Sequence, residues 1–211
     1  MSPRALDLFC GAGGMSSGLH AAGFDVTGVD CAPQPNYPFK FIQCDALRVP
    51  LLWSSYDLVV ASPPCQAFTA YKRRPNHVKP ALNLISKTRD MLKLFGIPYV
   101  IENVAGAKSE LLNPVMLCGS SFGLDVRRHR YFESSFSIPR VPCDHARQTP
   151  RFPPATNRKN KRSTVEVGVW RIPMDVQLKA MGITHRMTRH ELSQAIPPAY
   201  GFHIGKAALE S

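Results

Sequence analysis

Residues 5–14 read Ala5-Leu6-Asp7-Leu8-Phe9-Cys10-Gly11-Ala12-Gly13-Gly14, and Met15 to Gly23 follow directly. Ala5–Cys10 is an apolar run of strand length, which predicts a buried strand. Gly11-Ala12-Gly13-Gly14 breaks it, and Met15–Ala22 has helical spacing ended by Gly23. Strand, glycine turn and helix together open an α/β unit. Glycine adopts positive φ without cost and lets a ligand approach the backbone. Taken alone, the turn suits a dinucleotide, a nucleoside or a plain tight turn.

Working outward, the pattern repeats. Val26–Val29 predicts a second strand ending at Asp30, sixteen residues past Gly14, and Phe41–Cys44 a third ending at Asp45. Leu58–Ala61 predicts a fourth, cut off by Ser62-Pro63-Pro64. Tyr99–Ile101 predicts a fifth, ending at Glu102-Asn103, and Arg130–Phe132 lies in a sixth. Asn83–Phe95, Val176–Met181, Glu191–Ile196 and Phe202–Leu209 have helical apolar spacing. Short strands alternating with helices predict an α/β fold: a mostly parallel sheet with helices on both faces. Residues 139–163 break the pattern, with many prolines and the basic run Arg158-Lys159-Asn160-Lys161-Arg162. That composition predicts a loop excursion outside the sheet.

Composition narrows the function. At 211 residues and 44% hydrophobic content, the chain supports one α/β domain with a small appendage. No apolar run reaches membrane-spanning length, and Met1–Phe9 does not read as a signal peptide, so an intracellular, cytoplasmic protein is expected. The net charge of +11 favours a polyanionic partner, nucleic acid before a membrane. Six cysteines stand at 10, 31, 44, 65, 118 and 143. Five fit the role of small buried hydrophobes. Cys143 and His145 could begin a metal site, but two ligands do not complete one, so no metal is expected.

The candidate site residues all fall at carboxyl ends of predicted strands, the edge where open α/β sheets bind ligands. Asp30 is placed for ribose hydroxyls and Asp45 for an adenine amino group. Cys65, in Ser62-Pro63-Pro64-Cys65-Gln66-Ala67-Phe68-Thr69, sits on a loop stiffened by prolines, which suits a nucleophile. Glu102 directly follows Val100-Ile101; a carboxyl group in such a pocket has a raised pKa and can donate a proton near neutrality.

Asp7–Gly14, Pro63-Pro64-Cys65-Gln66, Glu102-Asn103-Val104 and Arg128-His129-Arg130 occur in that order, with Ala195-Ile196-Pro197-Pro198-Ala199-Tyr200 near the end. Together they resemble the DNA cytosine-5 methyltransferase family. The resemblance spans almost the whole chain outside 134–170; the Pro-Pro-Cys-Gln and Glu-Asn-Val pair is its specific part. It implies a Rossmann-like S-adenosylmethionine-dependent methyltransferase fold. It also implies methyl transfer to carbon 5 of cytosine in double-stranded DNA, with base flipping and a covalent Cys65 adduct at carbon 6. Glu102 would act at ring nitrogen 3, Arg130 would hold the flipped base, and Arg128 would contact the backbone or the pocket wall. Phe9, Gly11, Ala12, Gly13, Gly14, Asp30, Cys31, Asp45, Ala46, Pro64 and Gln194 would surround the cofactor. Gln66 and Thr69 would lie on a loop closing over DNA.

The implied division is a catalytic and cofactor-binding part over 1–133, a short basic target-recognition region over 134–170, and C-terminal helices over 171–211. So short a recognition region, about 35 residues, implies a target of two or three bases. Arg147, Arg151, Arg158, Lys159, Lys161 and Arg162 would make phosphate and groove contacts. The chain departs from the family pattern at Cys31, Val126 and Gln194. The implied setting is an enzyme monomeric on DNA in a prokaryote or virus, of the restriction-modification type among others. Rival readings are a transfer-RNA cytosine methyltransferase, a catalytically silent DNA-binding homologue, against which intact Cys65, Glu102 and Arg130 speak, and a nicotinamide-dependent dehydrogenase, which would not need Pro-Pro-Cys-Gln paired with Glu-Asn-Val.

Overall fold

A computed structural model describes residues 2–49, 53–69, 82–149 and 162–211. Its sheet has seven strands: β1 (Arg4–Leu8), β2 (Asp25–Asp30), β3 (Lys40–Gln43), β4 (Leu58–Ala61), β5 (Tyr99–Asn103), β6 (Val115–Leu117) and β7 (Arg130–Ser134). They are ordered β3-β2-β1-β4-β5-β7-β6. Pairings around β1, β2, β4 and β5 are parallel, and β7 runs antiparallel to both β5 and β6. The helices are α1 (Gly14–Ala22), α2 (Ile85–Phe95), α3 (Met174–Met181), α4 (Arg189–Gln194) and α5 (Pro198–Leu209).

The central strands are covered on both faces, so they read as continuous apolar runs. Ala5, Val26, Leu58, Val60 and Val100 pack with Leu19 of α1 and Tyr200 and Ile204 of α5. On the opposite face, Leu6, Leu8, Val59 and Ile101 pack with Ile85 and Leu92 of α2. Helices therefore cover both faces, as the alternation predicted.

Helices α1 and α5 approach closely at glycines on both. A Cβ at Gly18 would strike the Pro198 carbonyl oxygen, and one at Gly201 would strike that of Met15. The same contact lays Ile196 across the glycine turn, where a Cβ on Gly14 would meet the Ile196 carbonyl. A further apolar cluster joins Ala12 and Val126 to Ala180, Met181, Met187 and Leu192.

A buried ion pair ties α2 to β7. Arg89 presents Nε and Nη2 to the two Glu133 carboxylate oxygens, each at 2.7 Å, and Glu133 also accepts from Leu112 N at 2.9 Å. Bidentate pairing of this kind fixes both side chains.

The structure differs from the sequence reading at three places. β6 went unpredicted: it has only three residues and lies at the sheet edge behind Asn113, whose φ is +45°. β5 extends through Glu102 and Asn103, which pair with Phe132 and Tyr131 of β7. Within 139–163, the described residues form a 3-10 turn at His145–Arg147 and a two-residue parallel ladder of β8 (Gln148–Thr149) with β9 (Arg162–Ser163). Among the described residues, no helix is long and apolar enough to cross a membrane.

Candidate active site

A cavity of about 510 Å³ opens at the carboxyl ends of β1, β2, β4 and β5. That volume falls within the range of small-molecule sites. Its floor is the glycine turn. Phe9 and Gly11 hold φ of 59° and 50°, and Gly13, the N-cap of α1, holds 86°. Positive φ at Phe9 is unusual for a side-chain-bearing residue and marks a turn held by its surroundings. Two such supports are visible. Asp30 Oδ2 accepts from Gly11 N at 3.1 Å while its Oδ1 accepts from Ala32 N at 3.0 Å. His185 Nε2 lies 2.7 Å from the Ala12 carbonyl.

Asp7 stands beneath this turn. It is 1% exposed, lines the cavity, and accepts a hydrogen bond from Ser16 Oγ, which in turn lies 2.8 Å from the Tyr37 hydroxyl. Its other oxygen, Oδ1, is buried and has no hydrogen-bond partner among the described residues. Burial pushes the carboxyl up to about 7, opposed by the Ser16 bond and aided by the charges of Asp30 and Glu102.

Cys65 enters from the end of β4. The proline pair before it is anchored by Asn103, whose Nδ2 donates to the Pro63 carbonyl at 2.9 Å. Cys65 then caps a 3-10 turn, Gln66–Phe68, closed by Phe68 N on the Cys65 carbonyl at 2.9 Å. That turn packs so closely on the next one that a Cβ at Gly106 would meet the Phe68 carbonyl oxygen. The thiol is half-buried. Burial raises its pKa and the Glu102 charge raises it further, against the pull of Arg130.

Glu102 faces the same cavity from β5 and is 6% exposed. Burial raises its pKa, and Arg130 and Arg128 oppose that rise. Arg130 Nε lies 3.0 Å from Glu102 Oε1, an ion-pair distance, yet among the described residues that oxygen accepts no aligned hydrogen bond. Arg130 also donates from Nη1 to the His129 carbonyl at 2.9 Å.

The predicted site residues are thus sorted. Phe9, Gly11, Ala12, Gly14, Asp30, Cys31, Pro64, Cys65, Gln66, Glu102, Arg130 and Gln194 line one cavity. Gly13, Asp45, Ala46, Thr69 and Arg128 do not line it. Asp45 is occupied elsewhere: Oδ1 accepts from Leu47 N at 3.0 Å and Oδ2 stands 3.7 Å from Arg48, which makes it a turn cap. Ala46 is buried in the core beside Val49 and Tyr56. Arg128, at φ 33°, donates to the carbonyls of Ala195 and Ser193, both at 2.7 Å. Burial, reinforced by Arg130, lowers its pKa to about 9. Arg128 therefore supports the cavity wall from behind. Arg147 and Arg162 are placed by backbone only, and Arg151, Arg158, Lys159 and Lys161 lie outside the described residues.

Asp7, Asn103 and His185 did not stand out as site residues in the sequence. Asp7 carried a signal, being an acid inside an otherwise apolar strand. A contact at the cavity-lining Glu191 carried none: Asn36 Nδ2 donates to both its carboxylate oxygens, at 3.1 and 2.9 Å, and Glu191 completes a capping box with Thr188 at the start of α4.

A mostly parallel seven-stranded sheet with one reversed strand, a glycine turn after β1 and a cavity at the strand ends define the Rossmann-like methyltransferase fold. The Entamoeba histolytica methyltransferase EhMeth shares it: the alignment covers 100% of this chain and 98% of that one, at 13% identity and a TM-score of 0.60. A protein assigned as a DNA modification methyltransferase, encoded within an E. coli prophage, aligns over 62% of this chain at 23% identity with a TM-score of 0.46. A Spodoptera frugiperda DNMT2 mutant aligns over 78% at 19% identity with a TM-score of 0.46. This chain spans 45% and 55% of the length of those last two proteins. No protein-family model and no curated protein matches the sequence.

Proposed function

We propose that the protein is an S-adenosylmethionine-dependent methyltransferase that modifies carbon 5 of cytosine in double-stranded DNA. The observation that supports this most is the convergence of Cys65, Glu102 and Arg130 on the cavity floored by the glycine turn and Asp30.

The cavity residues fit the cofactor. Asp7 Oδ1 is a buried acceptor without a partner among the described residues, suited to an ammonium group. Each Asp30 oxygen accepts one backbone N–H and keeps a second lone pair for a ribose hydroxyl. The glycine turn leaves backbone accessible, and Cys31 and Gln194 flank it. With Asp45 and Ala46 outside the cavity lining, the adenine wall on this reading is the Cys31–Gln34 stretch. When bound, the cofactor supplies an electrophilic methyl group on a sulfonium.

The chain's own residues then divide the work on the base. Cys65 loses its proton and forms a bond from Sγ to carbon 6, which makes carbon 5 electron-rich. Glu102, held protonated more readily than an ordinary carboxyl by burial, donates to ring nitrogen 3 and offsets the charge arriving there. Arg130 orients that carboxyl and the pyrimidine carbonyl. Once carbon 5 carries the methyl group, with S-adenosylhomocysteine as the leaving group, loss of the carbon 5 proton to water and departure of the Cys65 thiolate would restore the aromatic ring. Pro63, Pro64 and Asn103 keep the nucleophile in place throughout.

The base must leave the helix to reach Cys65, so flipping is part of the reading. The target region of 134–170, with Arg147 and Arg162 at its ladder and Arg151, Arg158, Lys159 and Lys161 between, supplies phosphate contacts. Trapping tests the whole reading. Duplex DNA carrying 5-fluorocytosine, with S-adenosylmethionine present, should yield a denaturation-resistant adduct with the wild type and none with Cys65→Ala. Adduct formation on transfer RNA alone would reassign the substrate, and no adduct on either would refute the chemistry.

A further inference from the structure

Four side chains outside the cavity meet at a second point. Cys118 directly follows β6, His129 precedes β7 between Arg128 and Arg130, and Cys143 and His145 lie on the stretch leading to β8. One ligand atom from each lies within 4.8 Å of all the others. Cys118 Sγ stands 3.1 Å from His145 Nε2, and Cys143 Sγ stands 3.6 Å from His129 Nε2. The two imidazoles lie face to face, 5.2 Å between centroids and 30° between planes. Cys118 is fully buried and the other three are half-buried.

We propose that Cys118, His129, Cys143 and His145 bind a zinc ion in a closed tetrahedral site. Zinc–sulfur and zinc–nitrogen bonds of about 2.0–2.3 Å place tetrahedral ligands roughly 3.3–3.8 Å apart; two pairs here stand at 3.1 and 3.6 Å and all four atoms lie within 4.8 Å, so small side-chain adjustments close the site. Two thiolates and two imidazoles form a donor set that suits zinc and that hard cations such as magnesium or calcium do not favour. The two thiolates neutralise the ion, which suits a stretch that also carries Arg127, Arg128 and Arg130.

The surroundings support coordination. Ser120 Oγ, which accepts from Asp144 N at 3.1 Å, lies 3.0 Å from Cys118 Sγ, so its hydroxyl proton can point to the sulfur. Hydrogen bonds to a ligating thiolate orient it. Cys118 need not keep its own proton for the Arg127 carbonyl, because Gly119 N already donates there at 2.9 Å. The alternative is two ordinary thiol–imidazole pairs, but thiols are weak donors. The chain has six cysteines and seven histidines, and two of each gather here.

With all four positions filled by protein, the site is structural. It clamps the β6–β7 hairpin to Cys143 and His145, and so fixes the root of the segment that runs on to β8. His129 couples the clamp to the arginine pair on either side of it. The sequence hid the site because only Cys143 and His145 are neighbours along the chain; Cys118 and His129 arrive through the antiparallel pairing of β6 with β7.

Purification of the full chain without chelator, followed by plasma mass spectrometry, should find about one zinc per chain, with Cys143→Ser and His145→Ala each lowering it about tenfold. Cobalt added to chelator-stripped wild type should give visible ligand-field bands and a thiolate charge-transfer band that saturate at about one equivalent and vanish on adding zinc. Chelation should also lower the melting temperature of the wild type. Little zinc in the wild type with no thiolate–cobalt band would overturn the proposal, as would a Cys118–Cys143 disulfide on mass mapping. The cobalt titration needs no variant, so a mutant that fails to fold leaves the test intact.

Discussion

Asn103 donates its side-chain amide to the Pro63 carbonyl at 2.9 Å, joining the end of β5 to the proline pair that precedes Cys65. The bond is buried, and Asn103 Oδ1 also accepts from Val104 N at 2.9 Å. Asn103→Ala leaves the Pro63 carbonyl without a partner. We expect it to lower stability by about 1–3 kcal/mol. It should also reduce turnover while leaving S-adenosylhomocysteine affinity nearly unchanged. Denaturant melts, calorimetric titration and a methylation assay read the three effects; equal losses in affinity and turnover would show that Asn103 acts on more than the nucleophile loop.

Glu102 raises the Cys65 pKa while Arg130 lowers it. In Glu102→Gln the opposing charge is gone, so the thiolate forms at lower pH. Alkylation of Cys65 by iodoacetamide should therefore show its midpoint at lower pH than in the wild type, even as turnover falls by about 10²–10⁴ with the loss of the acid. An alkylation midpoint that stays put or rises would separate Glu102 from Cys65 electrostatically.

Asp7 has a folded-state pKa raised to about 7 by burial. The native state then binds more protons than the unfolded state between about pH 4 and pH 7, so stability falls as pH rises across that window and levels off above it. The full effect is about 4 kcal/mol for a shift of this size. Asp7→Asn should flatten the slope and gain relative to the wild type at pH 8 more than at pH 5. Urea midpoints at the two pH values measure it; a parallel pH dependence in both proteins would rule it out. If Asp7 receives the cofactor's ammonium group, the same variant should bind S-adenosylhomocysteine at least about tenfold more weakly.

Arg128 holds the Ser193 and Ala195 carbonyls from behind the cavity wall. Arg128→Lys cannot reproduce a forked two-carbonyl contact. Its expected effect is a KM for S-adenosylmethionine raised about tenfold with kcat changed less than about threefold. A loss confined to kcat would instead place the guanidinium among the reacting groups.

Glu133 accepts from Arg89, Leu112 N and the Tyr99 hydroxyl, and it sits apart from the cavity lining. Glu133→Ala strands the Arg89 charge and should cost about 3–5 kcal/mol. Specific activity of the folded fraction at low temperature should hold. Thermal melts and activity normalised to active-site titre would reveal any departure.

The parts legible in the sequence are those buried on both sides or stiffened locally. Leu58–Ala61 matches β4 residue for residue, because a doubly covered strand has to be apolar throughout. Cys65 and Glu102 could be placed because one follows β4 and the other ends the apolar run of β5, and the parallel strands bring their carboxyl ends to one edge. Asp45 also follows a strand, but it lies outside the cavity lining and its Oδ1 accepts from Leu47 N, a local contact that strand position does not reveal. The role of Asp7 is not legible, because a strand pattern does not show that one oxygen of a buried acid, Oδ1, has no donor among the described residues. The Arg128 wall contact and the Cys118–His145 cluster depend on residues 27 to 67 positions apart, which only the folded sheet brings together.

The close glycine contact between α1 and α5 has a bearing on biosynthesis. Met15 and Gly18 close against Pro198 and Gly201, partners that leave the ribosome nearly the whole chain later. Non-local closure of this kind is slow. A nascent polypeptide could thus present its nucleophile loop early, but it would complete the pocket only after translation has passed residue 201, so a truncated product would be born without activity.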